Sequence, residues 1–347
     1  MDRYARSIWA ELPDLGWDPQ LVFGRSLPTF GPRSLRLASA EFSRHALYPV
    51  IARRRRSDVF HVTDHSFGHL VLALPAERTV VTCHDLMPWL VPEIFSRRIG
   101  RAIGLPLWER SVRAMKLAGH VVCVSECTRR DVLERIGLSP ERTSVIPNGV
   151  SSTFHALPSD DRTAVRHRLG FPDDACVVLH VGHCQPYKNA VQVVRVVARL
   201  GQMGIRAVLL KVGGVTDEFL AAAADTRVEL HRLTGISDDA LNEAYNAADA
   251  MVFPSTYEGF GLPPLEAMRA GLPVVVSDTP ALVEVTRGFA PAFPRDDVDG
   301  MAQAVRGIWE ARDCRDANTD AARRMAEGYT WRAAAEQLAA IYERLAG

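Results

Sequence analysis

Long hydrophobic runs are missing from this sequence. No stretch approaches the roughly 20 consecutive apolar residues that a bilayer-crossing helix needs, so a helical membrane span is excluded. Cysteine is scarce. The six cysteines (Cys83, Cys123, Cys127, Cys176, Cys184, Cys314) include no CxxC pair, and four of them lie in or beside apolar runs, which argues for reduced thiols and against a disulfide scaffold. Three common signatures are also absent. Without GxGxxG, GxxxxGK[ST] or HExxH, a nicotinamide enzyme, a P-loop NTPase and a zincin have no support. The start, Met1 to Arg6, is charged and is followed by no apolar segment of the kind a secretory signal carries, so the expectation is a cytoplasmic protein. Net charge is zero, but it is unevenly spread. Residues 1 to 150 hold 21 Lys plus Arg against 15 Asp plus Glu, a net of +6, and the remainder balances it at −6. A basic first half favours anionic partners; no nucleic-acid partner is expected.

At 347 residues the chain suits two domains. Short β-branched runs alternate with helical patterns: Gln20 to Phe23, Val59 to Thr63, Thr79 to Cys83, His120 to Val124 and Thr143 to Ile146, then Val177 to Val181, Ala207 to Val212, Arg227 to Leu230, Ala250 to Phe253 and Pro273 to Val276. Continuous apolar strands separated by helices read as parallel sheets covered on both faces, hence an α/β class with two doubly wound domains. The join falls near Pro158, giving domains at 1–158 and 159–328. Residues 329–347 form one amphipathic helix with apolar positions Trp331, Ala334, Leu338, Ile341 and Leu345. A doubly wound domain usually opens with its central strand and a Gly-rich turn, whereas here a helix over Tyr4 to Leu12 comes first. The first domain is therefore read as lacking its first strand: either the chain starts upstream of Met1, the preferred expectation, or the domain is built without that strand.

Ligands of open α/β sheets bind beyond the carboxyl ends of strands, so the chemistry is expected in strand-following loops. The strongest signal is "FPSTYEGFGLPPLEAMRAGLPVVVSD", Phe253 to Asp278. A strand ends at Phe253, a loop carries Glu258, Gly259, Phe260 and Gly261, and Pro263-Pro264 opens a helix that Gly271 closes. The unpaired amides and dipole at that helix start favour an anion such as a phosphate. Glu258 and Glu266 beside an anion site need other engagements, and hydroxyls of a sugar and a ribose are the obvious ones. The plain alternative is a solvated loop acid and a helix N-terminal charge. The second signal is "VVLHVGHCQPYKN", Val177 to Asn189, where a strand ends in Gly182 and Lys188 precedes a helix. That lysine is either a charge for a diphosphate or a solvated loop residue.

The segment Leu233 to Asp278 resembles the donor-binding half of family 4 glycosyltransferases of the GT-B fold. "HVGHCQPYKN", "VTCHDLMP", "VSECTRRDVL" and "VIPNGV" resemble that family's other blocks in the same order. The resemblance implies two Rossmann-like domains facing a cleft, a C-terminal helix crossing back to the first, and retaining hexosyl (for example mannosyl) transfer without metal or resident cofactor. The donor is a UDP- or GDP-linked sugar and the acceptor a carbohydrate or lipid-linked hydroxyl, in cell-surface polysaccharide or glycoconjugate synthesis. By the same resemblance Glu258 contacts the donor sugar near its anomeric carbon and Glu266 the ribose. Lys188 binds the diphosphate beside Gly182 and His183, the amides of Gly259, Phe260, Gly261 and Leu262 hold sugar and phosphate, and Ile236 packs near the base. The family usually carries Arg at the position of His183, which has no guanidinium fork. A non-catalytic nucleotide-sugar-binding or partner subunit with the same fold stays open as the alternative.

In the first half, His84-Asp85 follows a strand. By resemblance His84 positions the donor sugar or stabilises charge at its anomeric centre; a satisfied structural pair is the other reading. Acceptor contact is assigned to the loop Asp64 to Gly68, including His65, with Asp85. His61, His65 and His69 are not read as a metal face. Ser125 reads as a helix N-cap. Arg53 to Arg56 is either a solvated helix end or a peripheral contact with the anionic inner membrane surface.

Overall fold

A computed structural model describes residues 2–22, 39–91, 104–312 and 317–347. The chain forms two compact units, Met1–Gly149 with Trp331–Gly347, and Val150–Thr330. The division after Gly149 falls short of the sequence-based boundary at Pro158. The backbone amides of His155 and Leu157 donate to the side-chain oxygens of Asn242 (3.0 Å) and Asn246 (2.8 Å), and these bonds tie the segment to the second unit.

In the first unit, α1 (Asp2–Glu11), β1 (Phe60–Val62), β2 (Thr79–Cys83), α2 (Leu105–Ala114), β3 (His120–Cys123), α3 (Glu126–Ile136) and β4 (Thr143–Val145) surround a parallel sheet of order β1-β2-β3-β4 among the described residues. Strand side chains alternate between two apolar layers, as the period of 2 requires. Val81, Cys83, Val121 and Cys123 face Trp108 and Val112 of α2 and Val132 of α3. Val80 and Val122 face Tyr4 and Ile8 of α1 together with Leu338 and Ile341 of the closing helix Trp331–Ala346. Two expectations change here. Residues 20–22 are irregular and Phe23 lies outside the described residues, so that run gives no described strand; Cys314 also lies outside them. The loop proposed at Asp64 to Gly68 is the start of a 3₁₀ helix, His65–Ala73, in which Gly68 lies so close to α2 that a Cβ would stand 2.4 Å from the Ser111 carbonyl oxygen.

The second unit contains β5 (Cys176–Val181), α4 (Ala190–Gln202), β6 (Ala207–Val212), α5 (Asp217–Asp225), β7 (Glu229–Leu233), α6 (Asp238–Ala247), β8 (Ala250–Phe253), α7 (Leu262–Arg269), β9 (Val274–Ser277), α8 (Pro280–Thr286), β10 (Ala292–Phe293) and α9 (Val298–Glu310). All pairings are parallel, and the sheet order is β10-β9-β8-β5-β6-β7. Read from the far edge this is the 3-2-1-4-5-6 order of the Rossmann fold, with its switch point between β5 and β8. β7 begins two residues later than its sequence pattern suggests, because Arg227 takes a left-handed φ of 55° that ends the preceding turn. The two-residue β10 is too short for a periodic signal. No helix among the described residues is long and apolar enough to cross a membrane.

Candidate active site

The chain leaves β5 through Gly182, whose φ of 135° few other residues adopt, and His183, which is exposed. It then turns through Pro186–Lys188 into Asn189 (φ 48°) and α4. The chain leaves β8 through Pro254 to Tyr257 and reaches Glu258. The two loops are joined, since the Thr256 amide donates to the Tyr187 carbonyl at 2.7 Å. Their side chains meet as well. Lys188 Nζ donates to Glu258 Oε1 at 2.7 Å, with the two side chains only 14% and 9% exposed. The ammonium also lies 4.9 Å from the Phe253 ring centroid and 5.2 Å from that of Tyr187, both within cation–π range.

Glu258 was expected to engage hydroxyls, and its observed partner is a cation. A carboxylate removed from water needs a counter-charge, and Lys188 is within reach. Glu266 does meet a hydroxyl: Tyr245 Oη, from α6, donates to Oε2 at 2.8 Å in a buried contact. Between the acids, Gly259, Phe260 and Gly261 are buried and Leu262 is half-buried at the start of α7. Gly261 has φ 109°, and a Cβ there would stand 2.7 Å from Leu282 Cδ2, so only glycine lets the loop turn into α7 over α8. Pro263 and Pro264 occupy the first turn, where missing N–H groups cost least. Ile236 is half-buried in the turn between β7 and α6, one residue before the cap Ser237. Because all strands are parallel, Gly182, His183, Lys188, Ile236 and residues 258–262 gather along the carboxyl edge of one sheet. A family model described as glycosyl transferases group 1 matches residues 161–325, and another, Glycosyltransferase Family 4, matches residues 2–154.

The chain belongs to the group 1, family 4 glycosyltransferases. It is similar to the D-inositol 3-phosphate glycosyltransferase of Geodermatophilus obscurus, with 30% identity over 282 residues that cover 73% of this chain. The match spans 61% of that relative's length. Among solved structures, sucrose-phosphate synthase from Thermosynechococcus elongatus superimposes with a TM-score of 0.79 at 20% identity, over 99% of this chain and 92% of that one. Anabaena HepE in complex with UDP-glucose gives a TM-score of 0.72 at 20% identity, over 86% and 81% of the two chains. These likenesses are of fold, and the fold is GT-B.

In the first unit of this glycosyltransferase the residues expected at donor and acceptor are engaged with the protein itself. His84 Nε2 donates to the Thr63 carbonyl at 2.8 Å, and the His84 amide donates to His65 Nδ1 at 3.3 Å. Burial and the neighbouring His65 lower the pKa of His84, so its ring is neutral near pH 7. Asp85 Oδ1 accepts from the Met87 amide at 2.9 Å, and Asp64 Oδ1 caps the 3₁₀ helix by accepting from the Ser66 amide at 2.8 Å. His65 is buried. Asp64 and Asp85 thus cap nearby amides, as short acids after strands do, and these contacts leave the acceptor role of Asp64, His65 and Asp85 a proposal. Ser125 Oγ accepts from the Thr128 amide at 3.0 Å and caps α3. His61 binds Tyr342 and Thr82, and His69 binds Ser111 and the Arg44 carbonyl. Among the described residues no group of three or more His, Cys, Asp or Glu could hold a metal ion.

Two buried groups beneath the second unit's site escaped sequence reasoning, Lys211 and His180. They are register partners on β6 and β5. Tyr245, the partner of Glu266, escaped too. A lysine inside the apolar run "AVLLKV" was the available signal.

Proposed function

We propose that this glycosyltransferase is a retaining hexosyltransferase, using a UDP- or GDP-linked sugar and a carbohydrate or lipid-linked hydroxyl acceptor. The observation that carries the reading is the Lys188–Glu258 pair at the β5/β8 switch point, beside the glycine loop that opens α7. A diphosphate arriving there takes Lys188 as its counter-charge and the amides at the start of α7 as donors, with no divalent cation required. Glu258, released from the lysine, is then an acceptor for donor sugar hydroxyls. Glu266, with one oxygen held by Tyr245, faces the ribose.

As the glycosidic bond breaks, negative charge grows on the leaving diphosphate. Lys188 and the loop amides stabilise it where it develops, which is electrostatic catalysis. Retention follows if the acceptor attacks from the leaving-group side and its proton passes to a phosphate oxygen. UDP-glucose bound to the HepE relative supports a nucleotide-sugar donor for this chain. The exposed run Arg53 to Arg56, of which Arg55 and Arg56 share a surface depression with Arg78, supplies a cationic contact for an anionic bilayer that presents lipid-linked acceptors. The test is incubation with radiolabelled UDP- and GDP-sugars and an acceptor extract, followed by analysis of the anomeric configuration. Transfer with retention is expected. Binding with neither transfer nor donor hydrolysis favours a partner subunit instead, and an inverted product contradicts the proposal.

A further inference from the structure

Lys211 lies in the middle of β6 and is fully buried. Its ammonium donates to the Gly182 carbonyl and, at 2.9 Å, to the Val212 carbonyl. Among the described residues no carboxylate acts on it. The groups that do are Lys188 and Cys184, and its register partner His180 has no hydrogen bond at either ring nitrogen. Burial and the two ammonium groups hold His180 neutral, and burial keeps the Cys184 thiol protonated. A positive charge without a counter-charge therefore sits directly beneath the turn that follows β5, an expensive placement in a strand interior.

That charge fixes a peptide. The Gly182 carbonyl and the His183 N–H belong to one trans peptide, so when the carbonyl is drawn inward to Lys211 the N–H must face the opposite way, outward at the strand ends. The His183 N–H has no acceptor among the described residues. Gly213 is shaped around the same carbonyl: with φ 106°, a Cβ there would stand 2.4 Å from the Gly182 oxygen. Two features of β6 and its exit thus hold one peptide in one orientation.

We propose that Lys211 is a positioning residue for the donor diphosphate. It aims the His183 amide at the phosphates and adds its own charge from beneath, a role the exposed His183 side chain does not fill. This inference rests on the nucleotide-sugar reading above. The test titrates UDP, GDP and ADP into the full-length native protein and Lys211→Met across pH 7 to 9, with thermal melts of both.

The native protein is expected to bind one diphosphate, more weakly above pH about 8, where burial has brought the Lys211 pKa. Lys211→Met should bind it about tenfold more weakly at pH 7, the cost of one charge-assisted contact, without that pH trend and without a lower melting temperature. Native-like affinity in the variant overturns the proposal. So does a fall in affinity that tracks a lower melting temperature and keeps the native pH trend, since that marks a purely structural lysine. If the native protein binds none of the three, the donor reading itself fails, and this inference with it.

Discussion

Lys188 and Glu258, 70 residues apart in sequence, form a 2.7 Å ion pair from the loops that follow the two strands flanking the switch point. Each group holds the other until a ligand offers something better. In the proposed reading a diphosphate competes for the lysine, and sugar hydroxyls then compete for the carboxylate. On that proposal, the contact that joins the two loops also prepares both groups for a nucleotide sugar.

Replacing Glu258 by Gln should separate affinity from turnover. Nucleoside diphosphate affinity is expected to hold or rise, because Lys188 loses its competitor, while transfer falls about 10²–10³-fold with loss of a group aimed at the reacting sugar. Titration calorimetry and initial rates measure the two. Equal losses in both contradict the sugar role.

Lys188→Met leaves the Glu258 carboxylate nearly buried without its cation. Stability should fall by about 2–3 kcal/mol, and the Lys188→Met/Glu258→Gln double variant should recover much of that loss. Denaturant unfolding of the single and double variants measures the coupling; strict additivity means that the pair does not interact.

Gly261→Ala combines a disfavoured φ of 109° with a Cβ 2.7 Å from Leu282. A cost of about 2 kcal/mol in stability is expected, together with loss of donor binding as the loop moves off α8. Gly16, with φ 82° and nothing within 4 Å of a Cβ, is the control, and Gly16→Ala should leave donor binding unchanged.

The first unit carries its own pH dependence. Burial lowers His61 to about 3, and lowers His69 and His120 to about 4. Since the unfolded chain binds the proton more readily than the folded one, their contribution is intact above about pH 6.5 and is lost as pH falls toward those folded values. For His61 alone the loss at pH 5 is about 2 kcal/mol relative to neutral pH. A melt series from pH 7 to 5 should show the decline, and His61→Gln should make it shallower, with His69 and His120 supplying the remainder; an unchanged slope in that variant contradicts the assignment.

Much of the second unit was legible in the sequence because its strands are short, continuous and apolar, and because the loop from Glu258 to Glu266 carries its own turn and helix-start chemistry. The Val177, Ala207 and Ala250 runs lie in strands at nearly the expected bounds. The partners were not legible. That Glu258 faces Lys188, that Glu266 faces Tyr245 and that Lys211 reaches back to Gly182 depend on how strands neighbour one another in space, which periodicity along a chain does not encode. In the first unit, the capping roles of Asp64 and Asp85 were not legible for a related reason: an acid after a strand has the same local pattern whether it meets a ligand or caps the next amide.

The most direct test is calorimetric titration of UDP, GDP and ADP into the native protein and into Lys188→Met. The expected result is selective binding of one diphosphate to the native protein and at least about tenfold weaker binding to the variant. Undiminished binding in Lys188→Met, or none of the three diphosphates bound by the native protein, would contradict the placement of a nucleotide-sugar diphosphate at the β5/β8 switch point.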